Sequence, residues 1–348
     1  MRLHRFAILT AVTTGWPGPR RAPTSRLHRF AILTAVTTFV LLIVGGLVHG
    51  TGSSLACPDW PLCHGSLMPK MEKGVEYEHT HRLVAGLVAI LTIVLGVWIF
   101  LDSRYRSLRW LAVAAPVMVL VQAVLGGITV LYRLPKPITL SHLTLSMAFF
   151  SVLIILAIRT RPADTEEPKP AHAQALRGLA GLRFGVGLTA LAVLGQITLG
   201  GLVRHSMAGL ACITFPFCFG NAWPPDSYSE QVHMLHRYGA VIVATLVVIV
   251  SVAVHRRARG IPGLRGLRAL AVAAPTLVLV QGTLGVLSVT TLLHLPTVTA
   301  HLGVGALLLG SVVAMWTLTP SRAPSAAPTA PSLRDSSDLP DAAREGAA

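Results

Sequence analysis

Charge is what this chain has least of. Charged residues make up 12% of its 348 positions, hydrophobic residues make up 53%, and the mean hydropathy is +0.64. That balance excludes a soluble protein of this length and leaves an integral membrane protein. Acidic residues are scarcer still: 14 Asp and Glu against 29 Lys and Arg give a formal net charge of +15. The excess does not point to nucleic acid, because no basic run is interleaved with aromatic residues, which are 6% of the chain. The carboxylates of a di-iron bundle are missing as well. Glu78-x-x-His81 is not matched at its repeat position, where the echo carries His233 in place of Glu78. Cysteine occurs four times, at 57, 63, 212 and 218.

Long apolar runs are abundant. Eight of them, near 30–51, 78–101, 110–131, 138–158, 183–204, 231–254, 269–292 and 297–318, are each long enough to cross a hydrocarbon core about 30 Å thick as a helix. The expected fold class is all-α with eight transmembrane helices. Of the 29 Lys and Arg, 22 fall on one side of these spans; the others are Lys70, Lys73, Arg82, Arg133, Lys136, Arg204 and Arg237. The asymmetry predicts that both termini are cytoplasmic.

Residues 2–14 recur unchanged at 26–38, so 1–25 is set aside as a duplicated, disordered extension too short to span a membrane. A longer repeat organises the rest. His81-Arg82 returns as His236-Arg237 at an offset of 155, and Cys57/Cys63 as Cys212/Cys218 at the same offset; Pro116, Gln122, Pro137 and His142 return as Pro275, Gln281, Pro296 and His301 at an offset of 159. The expected organisation is two four-helix bundles, 26–158 and 183–318. They share one orientation about a pseudo-twofold axis along the membrane normal, with a cytoplasmic linker at 159–182 and a disordered tail at 319–348.

His81, His142, His236 and His301 all fall three to five residues inside the outer ends of their predicted helices. Histidines at repeated membrane positions are a functional hypothesis by default, because burying them unpaired is costly. Facing imidazoles suit axial ligation of haem iron in a bundle core, whereas zinc wants four ligands at one site and each half supplies two. Arg82 and Arg237, next to the ligands at the water boundary, read either as partners of haem propionates or as snorkelling anchors. Glu78, one turn from His81, reads as an acid, base or proton carrier, or as a helix N-terminal charge. The cysteine pairs lie on the oxidising face, Cys212/Cys218 as a structural staple and Cys57/Cys63 as a staple or a redox or substrate-handling pair. Small residues at Gly45-Gly46 and Gly200-Gly201 read as helix-packing positions.

Taken together over residues 28–318, these features resemble the haem A synthase family, in the bacterial subtype with both cysteine pairs. The resemblance implies O2-dependent oxidation of the C8 methyl group of haem O to the formyl group of haem A. It implies that His81 and His142 hold the substrate haem with Glu78 as the catalytic residue, that His236 and His301 ligate a permanent haem b, and that Cys57 and Cys63 serve activity or haem handling. Expected partners are a haem O synthase, haem-copper oxidase assembly, an electron donor, the lipid bilayer of a bacterial plasma membrane and other copies of the chain. His79 and His233 are extra imidazoles beside the sites. Two other classes compete: a di-haem b-type electron-transfer subunit, and a haem carrier or assembly factor without turnover.

Overall fold

The computed structural model describes residues 25–162, 173–224 and 227–321. Residues 1–24 of the duplicated extension, 163–172 of the predicted linker and the tail beyond 321 lie outside the described residues. Eight helices follow one another: α1 (Ser25–Gly50), α2 (Val75–Leu101), α3 (Arg109–Leu131), α4 (Lys136–Arg159), α5 (Ala173–His205), α6 (Tyr228–Ala258), α7 (Arg265–Thr290) and α8 (Leu295–Leu318). All eight are long and apolar enough to cross a membrane. The described residues form no β-strand beyond two isolated bridges, Cys63–Ser66 and Cys218–Asn221.

Local chemistry sets the helix ends, and it repeats. Pro137 and Pro296 sit in the first turns of α4 and α8, where a missing N–H costs nothing. The turns before them hold Arg133 and Leu134, then Leu292 and Leu293, at positive φ, the same two positions in each half. Non-glycine residues occupy this region only when the surroundings over-determine the turn. Ser227 caps α6, its hydroxyl accepting from the Glu230 N–H at 3.3 Å.

Helices α1 to α4 close a ring, each packing on the next and α4 on α1; α5 to α8 close a second ring in the same way. Three contacts join the rings: α4 with α8, α1 with α8, and α4 with α5. The last two exchange under a twofold operation and the first maps onto itself. The symmetry holds residue by residue at this seam. A Cβ on Gly46 of α1 would meet Leu302 and Thr299 of α8, and one on Gly201 of α5 would meet Leu143 and Leu140 of α4. The same operation relates His28, whose Nδ1 lies 2.9 Å from the carbonyl of Ala157, to Arg183, which donates to the carbonyl of Trp316 at 2.7 Å.

One boundary departs from the sequence reading. Helix α5 begins at Ala173, not near 183, because Leu176 and Leu179 are buried in one cluster with Val254, Ala258 and Ile261 beyond the end of the apolar span of α6. Hydropathy alone does not register a helical turn that is held by tertiary contact outside the lipid-length run.

Candidate paired-histidine sites

The even helices carry the histidines and the odd helices carry a glycine against each one. A Cβ on Gly45 would lie 3.1 Å from Cε1 of His81, and on Gly200 3.0 Å from Cε1 of His236. On Gly126 it would lie 3.5 Å from Cε1 of His142, and on Gly285 3.3 Å from Cε1 of His301. Four imidazoles therefore lie edge-on against four bare backbones, and at Gly45, Gly200 and Gly285 even a methyl would press on the ring. His81 lies within electrostatic range of His142, and His236 of His301. The rings thus pair within each half, α2 with α4 and α6 with α8.

Each of the four residues is half-buried, while Nδ1 of His81, His142 and His301 is buried without a hydrogen-bond partner. The open edge of these three rings is consequently not Nδ1. Buried nitrogens without partners are rare in finished cores and mark a place where something else belongs.

The halves differ in what supports the rings. Gln196 Nε2 stands 2.9 Å from His236 Nδ1 and 2.8 Å from the His236 carbonyl, and Gln281 Nε2 stands 3.3 Å from His301 Nε2. In the first half Leu41 occupies the position equivalent to Gln196, and Gln122 donates to the His142 carbonyl at 2.9 Å, leaving the ring free.

The outer loops differ more. Cys57 and Cys63 form one disulfide and Cys212 and Cys218 another. Glu78 is 4% exposed; its Oε2 accepts from the Cys57 N–H at 2.8 Å and its Oε1 from Arg82 at 2.6 Å. Arg82 also donates to the carbonyls of Asp59 at 2.7 Å, Cys57 at 3.0 Å and Leu62. Trp60 of the same loop lies on α3, where a Cβ on Gly127 would come 2.8 Å from its indole. The first loop thus rests on two helices that flank the His81/His142 pair. Arg237 donates to the carbonyls of Thr214 at 2.6 Å, Pro216 at 3.2 Å and Cys212, and stacks on Phe215 with 4.1 Å to the ring centroid. Both guanidiniums proposed from sequence as propionate partners are therefore engaged with loop carbonyls.

His79 is buried with both ring nitrogens unpartnered, its ligand atom within 4.8 Å of the Cys57 and Cys63 sulfurs. Met234 takes this place in the second half and packs on Cys212 and Cys218. His233, the counterpart of Glu78, places Nδ1 2.9 Å from the Ala208 carbonyl. Asp59 shapes the first loop by accepting from the N–H groups of His64 at 2.6 Å and Gly65 at 2.8 Å. These bonds, that to Gly65 foremost, hold its carboxyl below the usual range.

Glycines 126 and 285 were not singled out from sequence, and 45 and 200 only as packing residues. The 159 offset between Gly126 and Gly285 equals that between His142 and His301, which is the signal that would have found them. Gln196 has no repeat partner, so no periodicity marks it.

Two pairs of half-buried imidazoles, each ring set against a glycine, fit the holding of one haem by two histidines in each half. Fold and site together define a polytopic helical membrane protein with one internal histidine pair in each of two related bundles. The family model described as cytochrome oxidase assembly protein matches residues 28–79 and 74–313, and the chain belongs to that family. Similar proteins include one named "Heme A synthase" from Bacillus pumilus, 32% identical over 59% of this chain and 68% of its own length. Another of that name, from Geobacillus kaustophilus, is 30% identical over 75% of this chain and 81% of its own length. A third, from Shewanella oneidensis, is 28% identical over 79% and 91%.

Proposed function

We propose that this chain is a haem A synthase, a membrane oxidoreductase that converts the C8 methyl group of haem O to the formyl group of haem A for haem-copper oxidase assembly. The observation that carries the reading is the inequality of two otherwise equivalent sites. Among the described residues, only the first half places a buried carboxylate, Glu78, one turn from a paired histidine and against a disulfide-closed loop that also lies on α3. A relay that only passed electrons would need no such difference.

In this reading His81 and His142 hold haem O in the 26–158 half, and His236 and His301 hold a resident haem b in the 183–318 half. Gln196 supports the resident site through His236 Nδ1; Leu41 leaves His81 without an equivalent amide, which suits a ligand that must let product go. A haem b held there would supply electron-transfer chemistry, with its electrons coming from a donor outside the chain. Each hydroxylation consumes one O2, two electrons and two protons and releases one water, and the doubly hydroxylated carbon loses a further water to become the formyl group. Glu78 sits where protons enter from the outer aqueous face and is assigned their delivery, while Arg82 and Arg237 anchor the two loops. Haem O comes from a haem O synthase in the same bacterial plasma membrane, and both termini are cytoplasmic.

The test is extraction and chromatography of haem from an aerobic host that makes haem O and expresses the intact protein, His81→Ala or Glu78→Gln. Haem A, or its hydroxylated precursor, is expected with the intact protein alone. Haem b only, with two low-spin centres per chain, would replace the enzyme with the electron-transfer subunit.

A further inference from the structure

We propose that the outer end of the seam, built from Arg204, His49 and His205, binds the carboxylates of the haems held in the two histidine sites. The proposal rests on the haem reading given above and adds to it the anchor for the acidic edge of each haem.

Position is the first ground. His49 stands four residues beyond Gly45, which faces His81, and Arg204 stands four beyond Gly200, which faces His236. Four residues are one turn on the same helix face, about 6 Å nearer the outer surface. The two positions are equivalent under the repeat offset of 155, so each half has one such group above its α2- or α6-borne ligand. They meet at the seam. Arg204 donates to the His49 carbonyl at 3.2 Å, the His49 and His205 ring centroids are 4.9 Å apart, and His49 Nδ1 lies 3.4 Å from the Ser54 hydroxyl.

Charge is the second ground. The ion pairs among the described residues are Glu78–Arg82 and Asp102–Arg104, so Arg204 is a half-buried guanidinium with no carboxylate in reach. The carbonyls at the ends of α1 and α5 offset part of its charge. Its hydrogen bond to His49 occupies one of five N–H donors. A cation inside a membrane helix without a counter-charge is costly and marks a ligand or pathway. Haem supplies two carboxylates at its rim, the group that a guanidinium fork recognises best.

Elimination is the third. Arg82 and Arg237, the other guanidiniums near the ligands, are committed to loop carbonyls. The halves then differ in grip. A permanently charged guanidinium serves the second half, where a resident cofactor must stay, and a weaker imidazole serves the first, where haem must enter and leave.

The experiment compares iron protoporphyrin IX with its dimethyl ester, which has the same ring and iron but no carboxylates. Detergent-purified full-length protein is stripped of haem and titrated with each, reading the low-spin bis-imidazole band. Wild type is expected to bind the free acid about tenfold more tightly than the diester. Arg204→Gln is expected to remove most of that preference with diester affinity changed less than twofold, and Arg204→Lys to restore part of it. His49→Gln in a His236→Ala/His301→Ala background should lower the preference of the first-half site. Equal weakening of acid and diester in Arg204→Gln overturns the proposal, as does loss of the preference in Arg237→Gln with Arg204→Gln unaffected. An unchanged preference in Arg204→Gln, with the purified protein instead losing bound anionic lipid, assigns the cluster to headgroups and overturns it too. If wild type binds neither haem, the haem reading itself falls.

Discussion

At the scale of single residues, the bare backbone opposite each histidine is as much part of the site as the imidazole. A methyl at Gly200 would sit 3.0 Å from His236 Cε1, tighter than ordinary van der Waals contact, so the ring must tilt or the helices must part. Overpacking of this kind costs about 1–3 kcal/mol. Gly200→Ala is therefore expected to lower haem retention by roughly tenfold, which is about 1.4 kcal/mol, and Gly200→Val to abolish the low-spin band while helical content by circular dichroism is kept. Retention of a full low-spin band in Gly200→Val would show that the cradle does not set the ring. Glu78 offers a different test, because it is both buried and paired. Glu78→Gln keeps the shape and removes the charge, and haem A output is expected to fall by about 10²–10⁴-fold, the range of a lost acid–base group. Glu78→Ala and Arg82→Ala should each also lower thermal stability, since either leaves a buried partner uncompensated. The double variant is then expected to lose less than the sum.

Among elements, the two disulfide loops share a covalent frame and differ in what they rest on. The first is tied through Glu78 and Arg82 to α2 and through Trp60 to α3, with His79 behind the sulfurs; the second packs Met234 in that place. Cys212→Ser/Cys218→Ser is expected to cost stability, at about 2 kcal/mol for so short a ring, with haem A still formed. Cys57→Ser/Cys63→Ser is expected to lose haem A formation, and comparable output from both double variants would remove the distinction between the loops. The first loop also carries a pH dependence. Asp59 titrates below the ordinary aspartate value of about 3.9 because the Gly65 and His64 N–H groups favour its charged form. A lowered folded value means that the stabilisation is present above about pH 3.9 and is lost as pH falls through the folded value. Hydrogen exchange at Gly65 and His64 should therefore accelerate on acidification through that window, beyond its intrinsic pH trend, and Asp59→Asn should remove the excess.

For the whole molecule, the seam decides whether two bundles act as one enzyme. Gly46 against Leu302 and Gly201 against Leu143 bring α1 to α8 and α5 to α4 at backbone range. Gly201→Val is expected to destabilise the protein by about 1–3 kcal/mol, read as a lowered melting temperature. It should also slow reduction of haem in the first half while leaving haem b content unchanged. Haem stoichiometry tests the division of labour. His236→Ala/His301→Ala should purify without the resident haem, whereas His81→Ala/His142→Ala should keep it, both read by pyridine haemochrome per chain.

The sequence by itself determined the membrane class, the eight spans, the doubling and the four histidines, because hydropathy over some twenty residues and identity at constant offsets are properties of the chain read in order. It also brought Arg82, Arg237 and the four cysteines to notice without telling what they touch. What only the tertiary structure decided is which group faces which. Arg82 and Arg237 turn to loop carbonyls, since those carbonyls have no strand or helix to satisfy them. Glycines 45, 126, 200 and 285 face imidazoles, since the odd and even helices of each ring cross at that level. Gln196 supports His236, an asymmetry no repeat announces. Arg204, an unremarkable helix-terminal cation in the sequence, stands beside His49 and His205 and pairs with no carboxylate among the described residues. Arg204 and His49 meet from positions 155 residues apart, and a one-dimensional pattern holds no record of the crossing that joins them.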